Sequence, residues 1–348
     1  MQTLPERQPW LGAPWAERLG ILLPPFLVCA LVAVLPTEVR GGSLPPWVWL
    51  LVVVGIDVSH VYATLFRTYL HPTARARLNW LLWLVPALGL VVSVGLYVVN
   101  PLVFWRSLAY LAVFHFVRQQ YGFLRLYSRH ERQRPVWSRR LDALAIYGAT
   151  LYPMAYWHLS SQRSFVWFLE GDFWALTYPQ ALPYAQGVWL ALLVGYCAKE
   201  WVYSRREGRV NWPKQAILAG TALSWYLGIV VWNSDLAFTL TNVVSHGVPY
   251  FTLVWLRNRQ ADGARVRRLG WRASLVGIVG LCMLLAVVEE VLWDRWVWAD
   301  HAHLFPFSGY LPTVSDSAWF LLVPLLALPQ LTHYLLDGFI WRRNAPAP

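Results

Sequence analysis

The sequence predicts an all-α, polytopic integral membrane protein, and three observations lead to that fold class. Hydrophobic residues make up 57% of the chain and charged residues only 14%, whereas a soluble domain carries about 25% charged residues. The mean hydropathy is +0.40. Apolar runs of about 20 residues, long enough to cross a bilayer, recur through the chain. We therefore expect a single transmembrane domain over residues 1–348, with about 19–341 embedded in the membrane.

Ten spans are predicted, and the links between them support this number. Every second link is rich in arginine, and the links between these contain few basic residues. By the positive-inside rule, this strict alternation places both termini in the cytoplasm. The predicted spans are 19–36, 46–68, 79–99, 103–127, 140–159, 184–204, 213–232, 236–257, 272–293 and 317–341.

Two links on the predicted outer side are longer than turns. Residues 160–183 contain apolar aromatic runs typical of a helix lying at the membrane interface. Residues 294–316 contain His301 and His303, a His-x-His pair that can bind metal, although a solvated loop is the simpler reading. Glu289 and Glu290 lie late in the ninth span, near the outer side, and can be functional or structural.

The net charge of +11 and the three cysteines limit the function classes. Arginine in cytoplasmic loops accounts for the charge, so we expect no nucleic acid partner. The cysteines lie far apart in apolar segments, which excludes a zinc ribbon or a c-type haem site. Lys199 and Glu200, near the inner end of the sixth span, can extend their charged groups to the interface and need no special role.

Polar side chains follow one face of four spans, and each face carries a histidine. Spacings of three and four residues bring side chains to the same side of a helix. Ionisable groups inside a membrane are costly and usually face the interior of a bundle, where they find partners. The four sets are Asp57, His60, Thr64, Arg67 and His71; His115, Arg118, Gln119 and Gln120; Thr239, Asn242 and His246; and Gln330, His333 and Asp337.

These four histidines are expected at one depth in the membrane. Their spans all run from outside to inside, and each ends at a cytoplasmic arginine 7 to 11 residues past its histidine. At 1.5 Å per residue, the imidazoles lie about 10–17 Å above the inner boundary. The sequence therefore predicts that His60, His115, His246 and His333 converge on a metal.

A polar neighbour one turn away accompanies each histidine: Asp57, Gln119, Asn242, and Gln330 with Asp337. Such neighbours can fix the imidazole tautomer or act as ligands themselves. Asp57 and Asp337 would offset the charge of a divalent ion. Histidine with carboxylate suits iron or manganese, and zinc also fits. Arg118 can pair with Asp337 or with a substrate head group, or form a plain buried ion pair.

Four short patches of the sequence resemble the Brp/Blh family of bacterial and archaeal membrane carotene-cleaving oxygenases. The family's ending of histidine, apolar residues, Asp and Phe-Ile-Phe-Arg is similar to residues 333–342 here, and its Ile-His-Phe element is similar to Phe114-His115-Phe116. His60 and His246 fall at comparable places, but without the family's Pro-His-Gly and paired histidines. The resemblance implies an iron oxygenase of a bacterial cytoplasmic membrane, with little support for a carotenoid substrate.

The sequence thus favours an iron-dependent (or other divalent metal) oxygenase or desaturase. It would act with O₂, and with an electron donor, on an apolar lipid or isoprenoid that enters from the bilayer. Three alternatives stay open: a b-type haem electron carrier with two axial histidines, a transporter or proton relay along an intramembrane His/Asp path, and a structural subunit with a polar core.

Overall fold

The computed structural model describes residues 8–131, 133–261 and 263–341, and this part of the chain is helical, with no β-strand. The predicted all-α class is therefore confirmed. In chain order the longer helices are α1 (Pro14–Leu22), α2 (Pro24–Val34), α3 (Pro46–Arg67), α4 (Pro72–Val99), α5 (Pro101–Tyr127), α6 (Val136–Leu159), α7 (Leu182–Glu207), α8 (Trp212–Val231), α9 (Asp235–Phe238, Thr239–Val243 and Val244–Ala261 in succession), α10 (Gly263–Trp293), α11 (Trp319–Leu326) and α12 (Leu328–Ile340).

Six helical segments of the described residues are long and apolar enough to cross a membrane, or seven if the bent pair α1–α2 counts as one span. These segments indicate an integral membrane protein. The predicted spans 103–127, 140–159 and 236–257 correspond to α5, α6 and α9, which are not among the six. Ten spans and cytoplasmic termini remain predictions, and the basic tail at Arg342 and Arg343 lies outside the described residues.

The chain divides into two compact units. The first unit comprises residues 1–43, 116–166 and 173–252, and the second comprises 44–115, 167–172 and 253–348. The boundary in α5 falls between two consecutive residues, His115 and Phe116. In the first unit, α6 packs against α7 and α8, and α8 also packs against α2.

In the second unit, α3 packs against α10 and α12, and α4 packs against α11 and α12. Val54 and Val58 of α3 meet Ala286 of α10 in one buried cluster. The other side of α4 carries exposed apolar residues, such as Trp83 and Val91, which are 73% and 68% exposed. An apolar face of this kind is typical of contact with lipid.

The predicted interfacial helix in residues 160–183 is wrong for its main part. Residues 160–178 form turns and bends, and only Pro179–Ala181 forms a short 3₁₀ turn before α7. Local polar bonds explain the difference. The Asp172 carboxylate accepts from the backbone N–H groups of Trp167 (3.0 Å) and Phe168 (2.8 Å), which holds these aromatic residues in a tight turn instead of a helix.

Candidate metal centre

Three histidines of the second unit pack their imidazole rings against one another. His115 and His333 have ring centroids 4.5 Å apart, His60 and His333 4.9 Å, and His60 and His115 6.4 Å. Each residue is at most 3% exposed. They belong to α3, α5 and α12, so the structure brings together three of the four histidines that the sequence predicts as ligands within this unit.

Two of the candidate ligands directly follow a change in helical winding. α3 is a π-helix over Trp49–Val58, and α9 is a π-helix over Thr239–Val243. His60 and His246 come just after these segments. A π-helix closes its hydrogen bonds over five residues, and such segments are frequent at functional sites. The wider winding changes the direction in which the following side chains point.

The closest contact in the cluster joins two ring nitrogens, since His333 Nε2 lies 3.1 Å from His115 Nε2. On the other side of the same ring, His333 Nδ1 lies 2.6 Å from Thr64 Oγ1. When Nδ1 carries the ring proton and donates it to Thr64, the Nε2 nitrogen is an acceptor. Two acceptor nitrogens at 3.1 Å repel each other unless a proton or a cation lies between them.

Two carboxylates flank the imidazoles at distances beyond a hydrogen bond. Asp57 Oδ1 lies 3.7 Å from His60 Nδ1. Asp337 Oδ2 lies 3.7 Å from His115 Nδ1, and its Oδ1 lies 4.0 Å from His333 Nδ1. Asp337 is nearly buried, whereas the Asp57 side chain is one-third exposed. Both sequence-predicted carboxylates therefore lie where they can compensate positive charge on the ring nitrogens.

His246, the fourth predicted ligand, is fully buried in the first unit. Its ring stacks on Phe116, with centroids 3.7 Å apart and an angle of 9° between the planes. Phe116 follows His115 directly in the unbroken helix α5. Gln119 Nε2 donates to the backbone carbonyl of His246 (2.8 Å), so α9 is fixed to α5 at this level.

The donor set fits a metal ion. Nitrogen ligands about 2.1 Å from one ion, at angles between a right angle and the tetrahedral value, lie about 3.0–3.4 Å apart. The 3.1 Å between the Nε2 atoms of His115 and His333 is in this range. The contact of His333 Nδ1 with Thr64 supplies the outer hydrogen bond that holds a ligating imidazole. Within the second unit, the buried group of His60, His115 and His333 could bind a metal ion.

The neighbouring polar groups have partners that the sequence does not predict. Gln330, predicted beside His333, donates instead to Glu289. Glu289 also accepts from the Tyr62 hydroxyl (2.6 Å) and from Trp293 Nε1 (3.1 Å). This carboxylate thus joins α3, α10 and α12. The bonds of Glu289 with Tyr62 and Gln330 join residues far apart in the chain. No local pattern in the sequence therefore indicates the role of Tyr62 or of Glu289.

The polar neighbours predicted for the other two histidines also have different partners. Gln119, expected beside His115, bonds the backbone of His246 as described above. Asn242, expected beside His246, donates to the carbonyl of Phe238 (3.3 Å) and to Thr241 Oγ1 (3.1 Å). Both amides therefore stabilise the helices that carry the histidines.

Arg118, predicted to pair with Asp337 or a substrate head group, is exposed on the first unit. Its guanidinium donates to the Tyr147 hydroxyl (2.5 Å) and lies 5.1 Å from the Tyr121 ring centroid. Tyr121 and Tyr147 are themselves stacked. The described partners of Arg118 are therefore two tyrosines.

The His-x-His pair in residues 294–316 has a structural setting. The His301 ring stacks on Trp49 at 3.8 Å, and its backbone N–H donates to Asp294 Oδ1 (2.6 Å). Burial lowers the pKa of His301, although Asp294 and Asp300 act in the opposite direction. The His303 ring lies 6.3 Å from that of His301. This geometry explains His301 as a packing residue of the loop.

A second group of buried acids, in the first unit, already holds cations of the protein. Glu131, Asp142 and Glu200 converge within metal-binding distance of one another. The Lys214 ammonium lies among them, 2.8 Å from Glu131, 3.0 Å from Asp142 and 2.8 Å from Glu200. Lys199 pairs with Asp142 and, at 2.6 Å, with Glu200. An ammonium therefore occupies the place that a metal would take.

Arg134 extends this group toward α7. It pairs with Glu131 (3.2 Å), Glu200 (2.9 Å) and Glu207 (2.9 Å). Burial alone lowers the pKa of Arg134, but the three carboxylates outweigh it and raise the pKa above its ordinary value. The guanidinium is thus firmly charged, and the network links residues that precede α6 with residues of α7.

Comparisons with protein-family models, with curated proteins and with solved structures find no match to this chain.

Proposed function

We propose that the protein is a membrane-embedded, histidine-ligated metal enzyme that oxidises an apolar lipid or isoprenoid with O₂. The observation that carries the proposal is the 3.1 Å separation of the Nε2 atoms of His115 and His333. Both residues are buried, so water does not screen the repulsion between these nitrogens when neither of them carries a proton. A bound cation removes that repulsion and uses both lone pairs.

His60, His115 and His333, all of the second unit, are the proposed ligands. His246, the fourth ligand predicted from the sequence, lies in the first unit, where its ring stacks on Phe116. Asp57 and Asp337 lie near enough to reduce the cost of a divalent charge in a low dielectric. They act as ligands or as charge compensators.

Iron is the metal that best suits histidine with nearby carboxylate, while manganese and zinc share parts of this preference. Iron, when bound, would supply the activation of O₂ for oxygenase or desaturase chemistry. Thr64 accepts from His333 Nδ1 in the tautomer in which Nε2 carries the lone pair that binds a metal. His60, His115 and His333 are each at most 3% exposed, so few water molecules can reach the rings. An electron donor is part of the proposal, as for any oxygenase that consumes reducing equivalents.

The oxygenase class also draws on the resemblance of residues 333–342 and of Phe114-His115-Phe116 to the Brp/Blh family. The bacterial cytoplasmic membrane belongs to the same proposal. Arg118 is exposed beside Tyr147, which fits contact with a lipid or substrate head group better than a place among the ligands.

A haem is less well supported than a single ion. The rings of His60, His115 and His333 lie within 6.4 Å of one another. The two axial nitrogens of a haem lie on opposite sides of the iron, about 4 Å apart for metal–nitrogen bonds of about 2 Å. The Nε2 atoms of His115 and His333 are only 3.1 Å apart, which suits neighbouring ligands of a single ion. This packing favours an ion.

A proton relay is a second candidate, because one contact series supports it. Thr64 Oγ1, His333 and His115 form a chain of 2.6 Å and 3.1 Å contacts, with Asp337 beyond it. A single shared proton between the two Nε2 atoms would also relieve their repulsion. Metal content therefore separates the two candidates.

Mass spectrometry of metals, with a visible spectrum, on detergent-purified protein tests the proposal. We expect about one transition metal ion per chain and no haem absorption. His333→Ala and His115→Ala should each lower the metal content roughly tenfold or more. Loss of a hydrogen bond to a ligand already costs about 10-fold or more in metal affinity, and loss of the ligand itself should cost more.

His303→Ala is the matched control, because His303 is exposed in a loop and should keep the full metal content. Gel filtration of each variant checks that the fold is retained. Unchanged metal content in both His333→Ala and His115→Ala would contradict the proposal. Metal-free wild-type protein that conducts protons in liposomes would support the relay instead.

A further inference from the structure

A cavity of about 260 Å³ opens beside the histidine cluster in the second unit, between α3, α4 and the α11–α12 pair. His333, Thr64 and Val61 form its buried floor. Leu325, which is 48% exposed, lies on its outer wall. The cavity therefore leads from the exposed surface of the helices to an imidazole of the candidate metal centre.

Three features of the backbone explain why the helices leave this space. The last span breaks at Ala327, between α11 and α12. Pro329 follows the break and has no N–H to continue the helical bonds. Pro86 lies inside α4, on the opposite wall. Side chains cannot interdigitate regularly where one helix is interrupted and its neighbour contains a proline.

The two tyrosine hydroxyls on the walls are bonded to other parts of the protein. The Tyr62 hydroxyl donates to Glu289 (2.6 Å), and the Tyr69 hydroxyl donates to the backbone carbonyl of Leu82 (2.6 Å). Leu65 and Leu328 supply apolar walls. Apolar cavities of this kind stay dry and take up apolar ligands.

We propose that this cavity binds a hydrocarbon chain of a membrane lipid and holds the carbon atoms of that chain beside His333. The inference rests on the proposed function and names its substrate class. Pockets for whole drug-sized ligands occupy about 300–1,000 Å³, so the present volume of about 260 Å³ holds a segment of a lipid and not the whole molecule. Leu325 belongs to Asp316–Ile340, one of the six helical segments long and apolar enough to cross a membrane. The outer wall of the cavity is therefore within reach of the hydrocarbon chains of a bilayer.

Photolabelling with a palmitic acid analogue that carries a diazirine near its methyl end tests this inference on the full-length protein in detergent. We expect covalent label on the segments 61–65 and 325–333, competed by excess palmitic acid. Leu328→Trp fills the cavity and should lower labelling of these segments at least roughly tenfold, equivalent to about 1.4 kcal/mol of binding free energy.

Leu321→Trp is the matched control, because Leu321 is 47% exposed on α11 and does not line the cavity. In Leu321→Trp, the segments 61–65 and 325–333 should be labelled to the same extent as in the wild type. The metal content of Leu328→Trp should stay at the wild-type level, which shows that the filled cavity, and not a collapsed fold, removes the label.

Two results separate this inference from the proposed function. Protein that contains metal, but is labelled only on exposed helix faces and equally in both tryptophan variants, would overturn the cavity assignment. Metal-free protein that is labelled on 61–65 and 325–333, with loss of label in Leu328→Trp, would support the cavity and overturn the metal enzyme.

Discussion

The two compact units each bury a polar centre, and the two centres balance their charge differently. In the first unit, Lys199, Lys214 and Arg134 contact four carboxylates directly, at hydrogen-bond distances. In the second unit, two carboxylates lie 3.7–4.0 Å from the imidazole nitrogens, and two ring nitrogens face each other. The charges of the first centre are paired within the protein, whereas the second centre could accept an added cation.

Burial of ionisable groups therefore does not by itself identify a functional site. Both centres contain groups at metal-ligand spacing. Among the contacts described above, no protein cation lies between the two ring nitrogens of the histidine centre. Four predictions test this difference, in order of decreasing expected effect.

The largest effect is expected from Lys214→Met. The substitution leaves Glu131, Asp142 and Glu200 buried around an apolar side chain, and breaking a buried ionic network costs about 3–5 kcal/mol. Denaturant unfolding in detergent measures the loss of stability. Arg206→Met, at an exposed position of α7, should change it by less than about 0.5 kcal/mol. If Lys214→Met left the free energy of unfolding unchanged, the network would contribute little to stability.

Metal removal should have the next largest effect, and it should act through the second centre alone. At a free metal concentration of 100 times Kd, binding stabilises the folded state by about 2.7 kcal/mol. A chelator should therefore lower the unfolding temperature of the wild type. His333→Ala should be insensitive to the chelator, while Lys214→Met should keep the response. Equal chelator sensitivity of wild type and His333→Ala would contradict the assignment of the metal to the histidines.

Thr64→Val should weaken metal binding about 10-fold to 100-fold, because it removes the outer hydrogen bond at His333 Nδ1 while keeping the branched shape. Metal competition with a chelator of known affinity measures the change. Thr150→Val is the matched control in the first unit, where Thr150 is buried and bonds only its own helix backbone. If Thr64→Val bound metal as tightly as Thr150→Val, Thr64 would have no role at the centre.

The smallest effect is expected from Tyr62→Phe. It removes one of three hydrogen bonds to Glu289 and should cost about 1 kcal/mol of unfolding free energy. Metal content should be unchanged. Tyr184→Phe, at a position 79% exposed, should have no effect on either quantity. A large loss of metal in Tyr62→Phe would instead place the Glu289 network in direct support of the ligands.

The histidine centre could be found from the sequence because its evidence is local. Each histidine lies on an apolar segment, and counting residues to the next arginine gave four similar depths. His60, His115 and His333 do converge within the second unit. The carboxylates Asp57 and Asp337 could be assigned to their neighbours from helical spacing alone, since one turn fixes their separation.

Lys199 and Glu200 show where that local argument fails. Their position near a predicted helix end favours extension to the interface, but both are buried and paired with residues on other helices. Their partners include Asp142 of α6, Arg134 before α6 and Lys214 of α8. Nothing in the sequence near Lys199 identifies Asp142, because 57 residues separate them.

By itself, the sequence determined the membrane character, the helical class and which helix faces carry polar groups. These properties depend on composition and on the 3.6-residue period, which act within one segment. Tertiary structure alone decided that Thr64 holds His333, that Glu289 collects Tyr62 and Gln330, and that a break at Ala327 leaves a cavity. These features depend on how each helix is rotated and packed against its neighbours, and packing sums contacts between residues far apart in the chain.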